Sequence, residues 1–136
     1  MADFPKYEYK YRVYYEHTDG GGVVYHSRYL NLFERARTDW LRDNGMIQSQ
    51  MQKELSMIYV VTAANIQFKK PARMDDALRV SSQLVKIKRA SMDIYQEMYN
   101  QNNELLATVM ITAACLQADT FKVVALPKKL REDLMK

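Results

Sequence analysis

Between Ser27 and Gly45 the apolar residues return at helical intervals. Tyr29, Phe33, Ala36 and Trp40 follow one another at spacings of 4, 3 and 4, and Leu30 and Leu41 widen the stripe. Ser27 stands where an N-cap belongs, and Asn44-Gly45 supply the usual stop. Ahead of this helix, residues 7–16 (YEYKYRVYYE) are dense in tyrosine and read as a strand. Behind it, MIQSQMQKELS reads as a short polar helix or a loop. From residue 57 to about 119 the pattern is that of strands. MIYVVTAANIQF places Ile58, Val60, Ala64, Ile66 and Phe68 on one face, and SMDIYQEMYN does the same for Met92, Ile94 and Met98. ALRVSSQLVKIK alternates through Leu78, Val80 and Leu84, then shifts to Val85 and Ile87, which predicts a bulge. ELLATVMITAACLQA is apolar on both faces, as an interior strand would be. LPKKLREDLMK closes the chain as a short amphipathic helix.

The connections KKPARMDD, KRAS and NQNN are short, as between antiparallel neighbours. No repeat, low-complexity stretch or linker divides residues 1–136, so a single domain is expected. One apolar-striped helix must bury its stripe, and the sheet is the surface on offer. The expected class is α+β, a long helix held against an antiparallel sheet.

Composition narrows the reading. A chain 48% hydrophobic and 26% charged can build a core without disulfide or metal. Cys115, the one cysteine, falls within an apolar alternation and reads as a buried small hydrophobe. No apolar run approaches the roughly 20 residues of a membrane span, and MADFPKYEYKYRV lacks the apolar core of a secretory signal. A cytoplasmic protein without a membrane span is expected. The net charge of +4 is scattered rather than striped, which argues against nucleic acid as partner.

The chemistry concentrates in YYEHTDGGGVVYHSRYL, residues 14–30. GxSxG, HExxH, paired CxxC and P-loop patterns are all missing, so serine, zinc and nucleotide-phosphate chemistry lose most of their support. His17 and His26 flank the glycines and form no helical metal pair, and no metal is expected. What remains is Asp19 at the end of a strand, then Gly20, Gly21 and Gly22, then a helix start. Helix-start amides can hold a carbonyl oxygen that gains negative charge, and a carboxylate beside them can attack the carbon or deprotonate a water that does. Acid, glycines and helix start make a candidate acyl-transfer site. The plainer alternative is that Thr18 or Asp19 caps a helix and the glycines only turn the chain. Glu34 is a second candidate acid, with a surface ion pair to Arg37 as its ordinary explanation. Arg37 lies near the apolar arc and needs a partner if buried.

Arg12 to Arg42, RVYYEHTDGGGVVYHSRYLNLFERARTDWLR, closely resembles the signature of hotdog-fold acyl-CoA thioesterases. The nearest branch is that of the Tol–Pal-associated (YbgC-like) bacterial thioesterases, with 4-hydroxybenzoyl-CoA thioesterases as more distant relatives. The likeness continues more loosely through KKPARMDDAL and ALPK, over essentially the whole chain. It implies a hotdog fold and hydrolysis of acyl-CoA to free acid and CoA, with no cofactor. Carried over by position, it puts the catalytic carboxylate on Asp19 and the carbonyl-polarising amide on His26, with Gly22 and Tyr25 beside it. The His26 side chain becomes a second catalytic candidate. His17 departs from the pattern, because many members carry an acid there. Phosphate contacts are expected from Lys88, Arg89 and Ser91, with Lys69, Lys70 and Arg73 as the competing cluster. The family's pairing of sheet edges implies a homodimer, and a dimer of dimers as the final homotetramer. Alternatives on the same fold are an acyl-carrier-protein thioesterase or a dehydratase, although no histidine and acid are arranged for the latter. A non-catalytic acyl- or partner-binding module linked to the cell envelope is a third.

Overall fold

The computed structural model describes residues 4–134. Five strands form one antiparallel sheet: β1 (Lys6–Arg12), β2 (Met57–Phe68), β3 (Ala77–Ile87), β4 (Ser91–Tyr99) and β5 (Leu105–Gln117). Their order across the sheet is β1-β3-β4-β5-β2. Helix α1 (His26–Asp43) lies on the concave face, α2 (Gln48–Leu55) leads into β2, and α3 (Lys128–Leu134) ends the description. Met135 and Lys136, the tail of the segment expected to form the last helix, lie outside the described residues, as do Met1 to Asp3. The α+β hotdog architecture is as expected.

The helical stripe is buried. Tyr29, Leu32, Phe33, Ala36, Trp40 and Leu41 face the sheet, and burying a side chain the size of Leu32, Phe33 or Leu41 contributes roughly 1.5–3 kcal/mol. Leu30, expected to widen the stripe, turns outward, and Leu32 takes the inward place. Asn44 and Gly45 end the helix: Asn44 Nδ2 donates to the Trp40 carbonyl at 2.8 Å, and Gly45 takes a φ of 84°. The N-cap is Tyr25 rather than Ser27, and it is held by its backbone, not by a side-chain cap. Its amide donates to the His17 carbonyl at 3.0 Å and its carbonyl accepts from Arg28.

The first strand is shorter than the tyrosine-rich run 7–16 predicts. After Arg12, Val13 exchanges backbone bonds with Asp75 and Asp76, and the chain then curls into a 3-10 turn over Tyr15–His17. The Tyr14 amide donates to His17 Nδ1 at 2.9 Å, which turns the backbone away from strand geometry. Within β1, Tyr7, Tyr9 and Tyr11 face the helix, and the Tyr9 and Tyr11 hydroxyls donate to Asp43 and Asp39.

The predicted bulge in β3 falls between Leu84 and Lys86. A second bulge in β2, between Val61 and Ala63, corrects the expected face. Residues paired side by side share a face, and β5 turns Val109, Ile111, Ala113 and Cys115 into the core. Ile66, Ala64, Val61 and Tyr59 pair with these four and are therefore concave, as is Phe68 opposite Ala107. Ile58 and Val60 fall on the other face, because the extra residue reverses the alternation.

The two sheet edges differ. On β1 the outward positions are Lys6, Glu8, Lys10 and Arg12. On β2 no residue from Met57 to Phe68 carries a charge, and Val61 and Phe68 are about half exposed on the concave side.

One buried polar residue underlies α1. Gln96 occupies the apolar face of β4 with no solvent exposure. Its Nε2 donates to the Phe33 carbonyl and to Ser82 Oγ, both at 2.9 Å, and its Oε1 accepts from Arg37 Nη1 at 2.9 Å. An apolar replacement strands all three partners. Gln96→Leu is expected to lower stability by about 2–3 kcal/mol in urea unfolding. A loss below about 0.5 kcal/mol would show that the network contributes little.

Candidate active site

Residues 18–25 form a closed loop between the 3-10 turn and α1. Thr18 pairs with Val24 in an antiparallel bridge, and the Asp19 amide donates to the Val23 carbonyl at 3.1 Å. The three glycines make the bend. Gly20 and Gly22 have φ values of 90° and 89°, a region that side-chain-bearing residues rarely enter. Gly21 serves differently: its amide donates to Asp19 Oδ1 at 2.7 Å, and a Cβ there would stand 3.1 Å from that same oxygen. One carboxylate oxygen is thereby fixed by the backbone, while Asp19 as a whole stays exposed.

The loop is stitched to the connection between β2 and β3. Val24 donates to the Ala72 carbonyl at 2.8 Å, and Met74 donates to the Gly22 carbonyl at 3.0 Å. The Ala72 amide donates to the buried Tyr29 hydroxyl at 2.9 Å. Tyr29 reads in the sequence only as part of an apolar stripe. Its hydroxyl in fact ties the first turn of α1 to the loop's support.

His26 is the first residue of α1, exposed, with its ring tilted against that of Tyr25 at a centroid distance of 4.3 Å. Its amide precedes the helix's own bonds, and among the described residues nothing accepts from it. The helix dipole adds positive character at the same point. The loop thus places a carboxylate, Asp19, and an unclaimed helix-start amide, His26, at the two ends of one short glycine turn. Such a pair can attack or hydrate an electrophilic carbonyl and hold its oxygen.

His17 belongs to the loop's support. It is buried, its Nδ1 accepts from the Tyr14 amide, and its carbonyl holds Tyr25. Burial is the main reason its imidazole titrates below the usual histidine range; Glu16 opposes the shift, and Arg35 and Arg28 add to it.

Glu34 is exposed and forms no ion pair with Arg37, which turns inward to Gln96 instead. Of the basic residues, Arg73 stands beside the loop, bridged to Val23, whereas the Lys69 and Lys70 amides donate to the Leu106 carbonyl. Lys70 is engaged with Glu104 at 2.8 Å. Lys88, Arg89 and Ser91 lie at the opposite end of the sheet, after the whole of β3, about 30 Å away at strand rise. There Lys88 approaches Asp93 at 4.0 Å, and the Arg89 carbonyl accepts from Leu126. Within one chain the structure does not bring this turn to Asp19. No group of three or more His, Cys, Asp or Glu placed to hold a metal occurs among the described residues, and none of their helices is long and apolar enough to cross a membrane.

Residues 13–134 match the model of the thioesterase-like superfamily. The chain is 38% identical to the acyl-CoA thioesterase YbgC of Haemophilus influenzae, over 88% of each protein. It is 31% identical to the long-chain acyl-CoA thioesterase FadM of Escherichia coli, over 87% of this chain and 89% of that one. Among solved structures, a DHNA-CoA thioesterase from Staphylococcus aureus superposes with a TM-score of 0.84 at 30% identity, over 89% of this chain and 80% of that one.

The low histidine pKa has a consequence for stability. The folded state resists protonation of His17, so its contribution is complete above the unfolded value of about 6.5 and is lost as pH falls through the lower folded value. Unfolding midpoints measured from about pH 7.5 down to about pH 5 should fall more steeply for the wild type than for His17→Gln. Parallel curves would contradict this role.

Proposed function

The chain belongs to the thioesterase-like superfamily, and on that premise we propose that it hydrolyses acyl-CoA thioesters to free acid and CoA at the Asp19 loop. The observation that supports this reading most is the fixed carboxylate of Asp19, one oxygen on the Gly21 amide, with the unclaimed His26 amide across the same turn. The thioester carbonyl oxygen accepts from the His26 amide, where negative charge is favoured as the tetrahedral intermediate forms. Asp19 attacks the carbonyl carbon, giving an acyl–aspartyl anhydride that water afterwards hydrolyses to the free acid, or it takes a proton from a water that attacks in its place. The carbon–sulfur bond then breaks, and CoA leaves as a thiolate that takes up a proton. A thioester has a good leaving group, so these groups suffice without a serine triad, metal or organic cofactor. Gly22 and Tyr25 hold the amide's setting through the stitch to Met74 and the bond to His17. The exposed ring of His26, packed at a tilt against Tyr25, orients substrate or water at the same mouth.

The CoA phosphates meet one of two basic clusters. Arg73, in the cluster with Lys69 and Lys70, stands beside the loop of its own chain, whereas Lys88, Arg89 and Ser91 would serve the site of a neighbouring chain. A second chain is part of the reading. The uncharged β2 edge and the uncovered Val61 and Phe68 suit pairing with another β2, while the charged β1 edge discourages it. The assembly is a homodimer that associates further into a tetramer. An acyl-carrier protein presents the same kind of thioester and is the competing donor.

Thiol release from a panel of acyl-CoA thioesters of graded length tests the chemistry. Asp19→Asn keeps the shape of the side chain and is expected to lose about 10²–10⁴-fold in kcat. Equal rates in wild type and variant, or an inactive wild type, would sink the assignment. For the assembly, Ala64→Lys puts a charge on the β2 edge. It should elute as a monomer with unchanged circular dichroism and most activity gone; an unaltered elution volume would place the contact elsewhere.

A further inference from the structure

Arg37 takes no part in the loop chemistry, yet its surroundings are built. It projects from the middle of α1 toward the sheet, largely withdrawn from water, and burial pulls its pKa down while Glu34 opposes that. Its Nη1 donates to Gln96 Oε1. Both amide protons of Gln96 are already committed to Phe33 and Ser82, so the amide cannot turn over without setting its NH₂ against the guanidinium. Gln96 therefore fixes Arg37. Among the described residues no carboxylate forms an ion pair with this arginine, and a guanidinium offers several donors beyond the one in use. A withdrawn charge left this way is costly unless something else meets it.

A cavity of about 160 Å³ adjoins it, between α1, α2 and the sheet. Arg37, Glu34 and Thr38 form one wall, and Tyr59, Met92 and Ile94 another. Tyr59 brings a second unmet group, since its hydroxyl is buried without a hydrogen-bond partner. Glu34 and Thr38 also wall a groove that runs back past Arg28 to His17, so the two hollows share a side along α1. From His26 to Arg37 the helix advances about 16 Å, and a helical side chain leans toward the N-terminus, which shortens the span an acyl chain has to cover.

We propose that this cavity receives the far part of the acyl group and that Arg37 is a specificity residue for acyl groups carrying a hydroxyl or carbonyl oxygen remote from the thioester. The inference rests on the thioesterase reading and adds the substrate class. Met92, Ile94 and Ala113 accommodate the carbon stem, while the guanidinium meets the acceptor oxygen. Glu34 on the same wall disfavours a carboxylate there.

The test compares ω-hydroxyacyl-CoA with plain acyl-CoA at octanoyl, decanoyl and dodecanoyl lengths. For at least one length the wild type should favour the hydroxylated member about tenfold in kcat/KM, the worth of one hydrogen bond to a charged group. Arg37→Met should bring that ratio close to one. A wild-type ratio at or below one at every length, or a ratio unchanged in the variant, overturns the proposal. Calorimetric titration of the free ω-hydroxy and plain acids into the same proteins reads the discrimination without turnover. Failure to hydrolyse any thioester therefore counts against the activity alone, and equal binding of the two acids counts against Arg37. If Arg37→Met does not fold, Arg37→Lys keeps the charge but not the fork to Gln96, and should cut the preference at least about threefold.

Discussion

The amide of Val24 donates to the carbonyl of Ala72, and the amide of Met74 donates back to the carbonyl of Gly22. These two bonds join the glycine loop to the connection between β2 and β3, and the Tyr29 hydroxyl secures the same place from the helix side. The start of α1 follows from them. With Val24 held and the Tyr25 amide on the His17 carbonyl, the chain turns into the helix at His26, and the closed turn sets Asp19 against Val23. The positive φ of Gly20 and Gly22 allows the turn to be this short. Removing the stitch would leave acid and amide in the sequence but not in register.

The same economy governs the body of the protein. A single long helix cannot cover a five-stranded sheet, and α1 lies over the β1, β3 and β4 side. The concave face of β2 is left with Val61, Ala64 and Phe68 in the open. The β1 edge is charged and the β2 edge is not. Beneath the helix, Gln96, with both amide protons committed, fixes the orientation of Arg37, as the Gly21 amide fixes one carboxylate oxygen of Asp19.

Much of this could be read from the residues. The stripe of Tyr29, Phe33, Ala36 and Trp40 announced the helix because its period is unambiguous, and Asn44-Gly45 ended it as expected. The acid and its three glycines stood out as one unit. Other features depend on partners far along the chain. The β2 bulge shifts a face by one residue, which the alternation of a nearly all-apolar run cannot reveal. The tyrosines up to residue 16 suggested strand, but His17 Nδ1 captures the Tyr14 amide. The alternation of Met92, Ile94 and Met98 puts Gln96 on the apolar face, but its partners Phe33, Arg37 and Ser82 lie elsewhere along the chain. Charge alone made Lys88–Ser91 and Lys69–Arg73 equivalent, and only the topology separates the ends of the sheet at which they stand.

Asp19 and the first amide of α1 are proposed to act on the same thioester carbonyl. A crystal structure of Asp19→Asn with an intact acyl-CoA is the decisive measurement. The carbonyl oxygen is expected within hydrogen-bond distance of the His26 amide, with the carbonyl carbon facing the substituted side chain. An acyl-CoA bound with its thioester away from this turn would contradict the proposal.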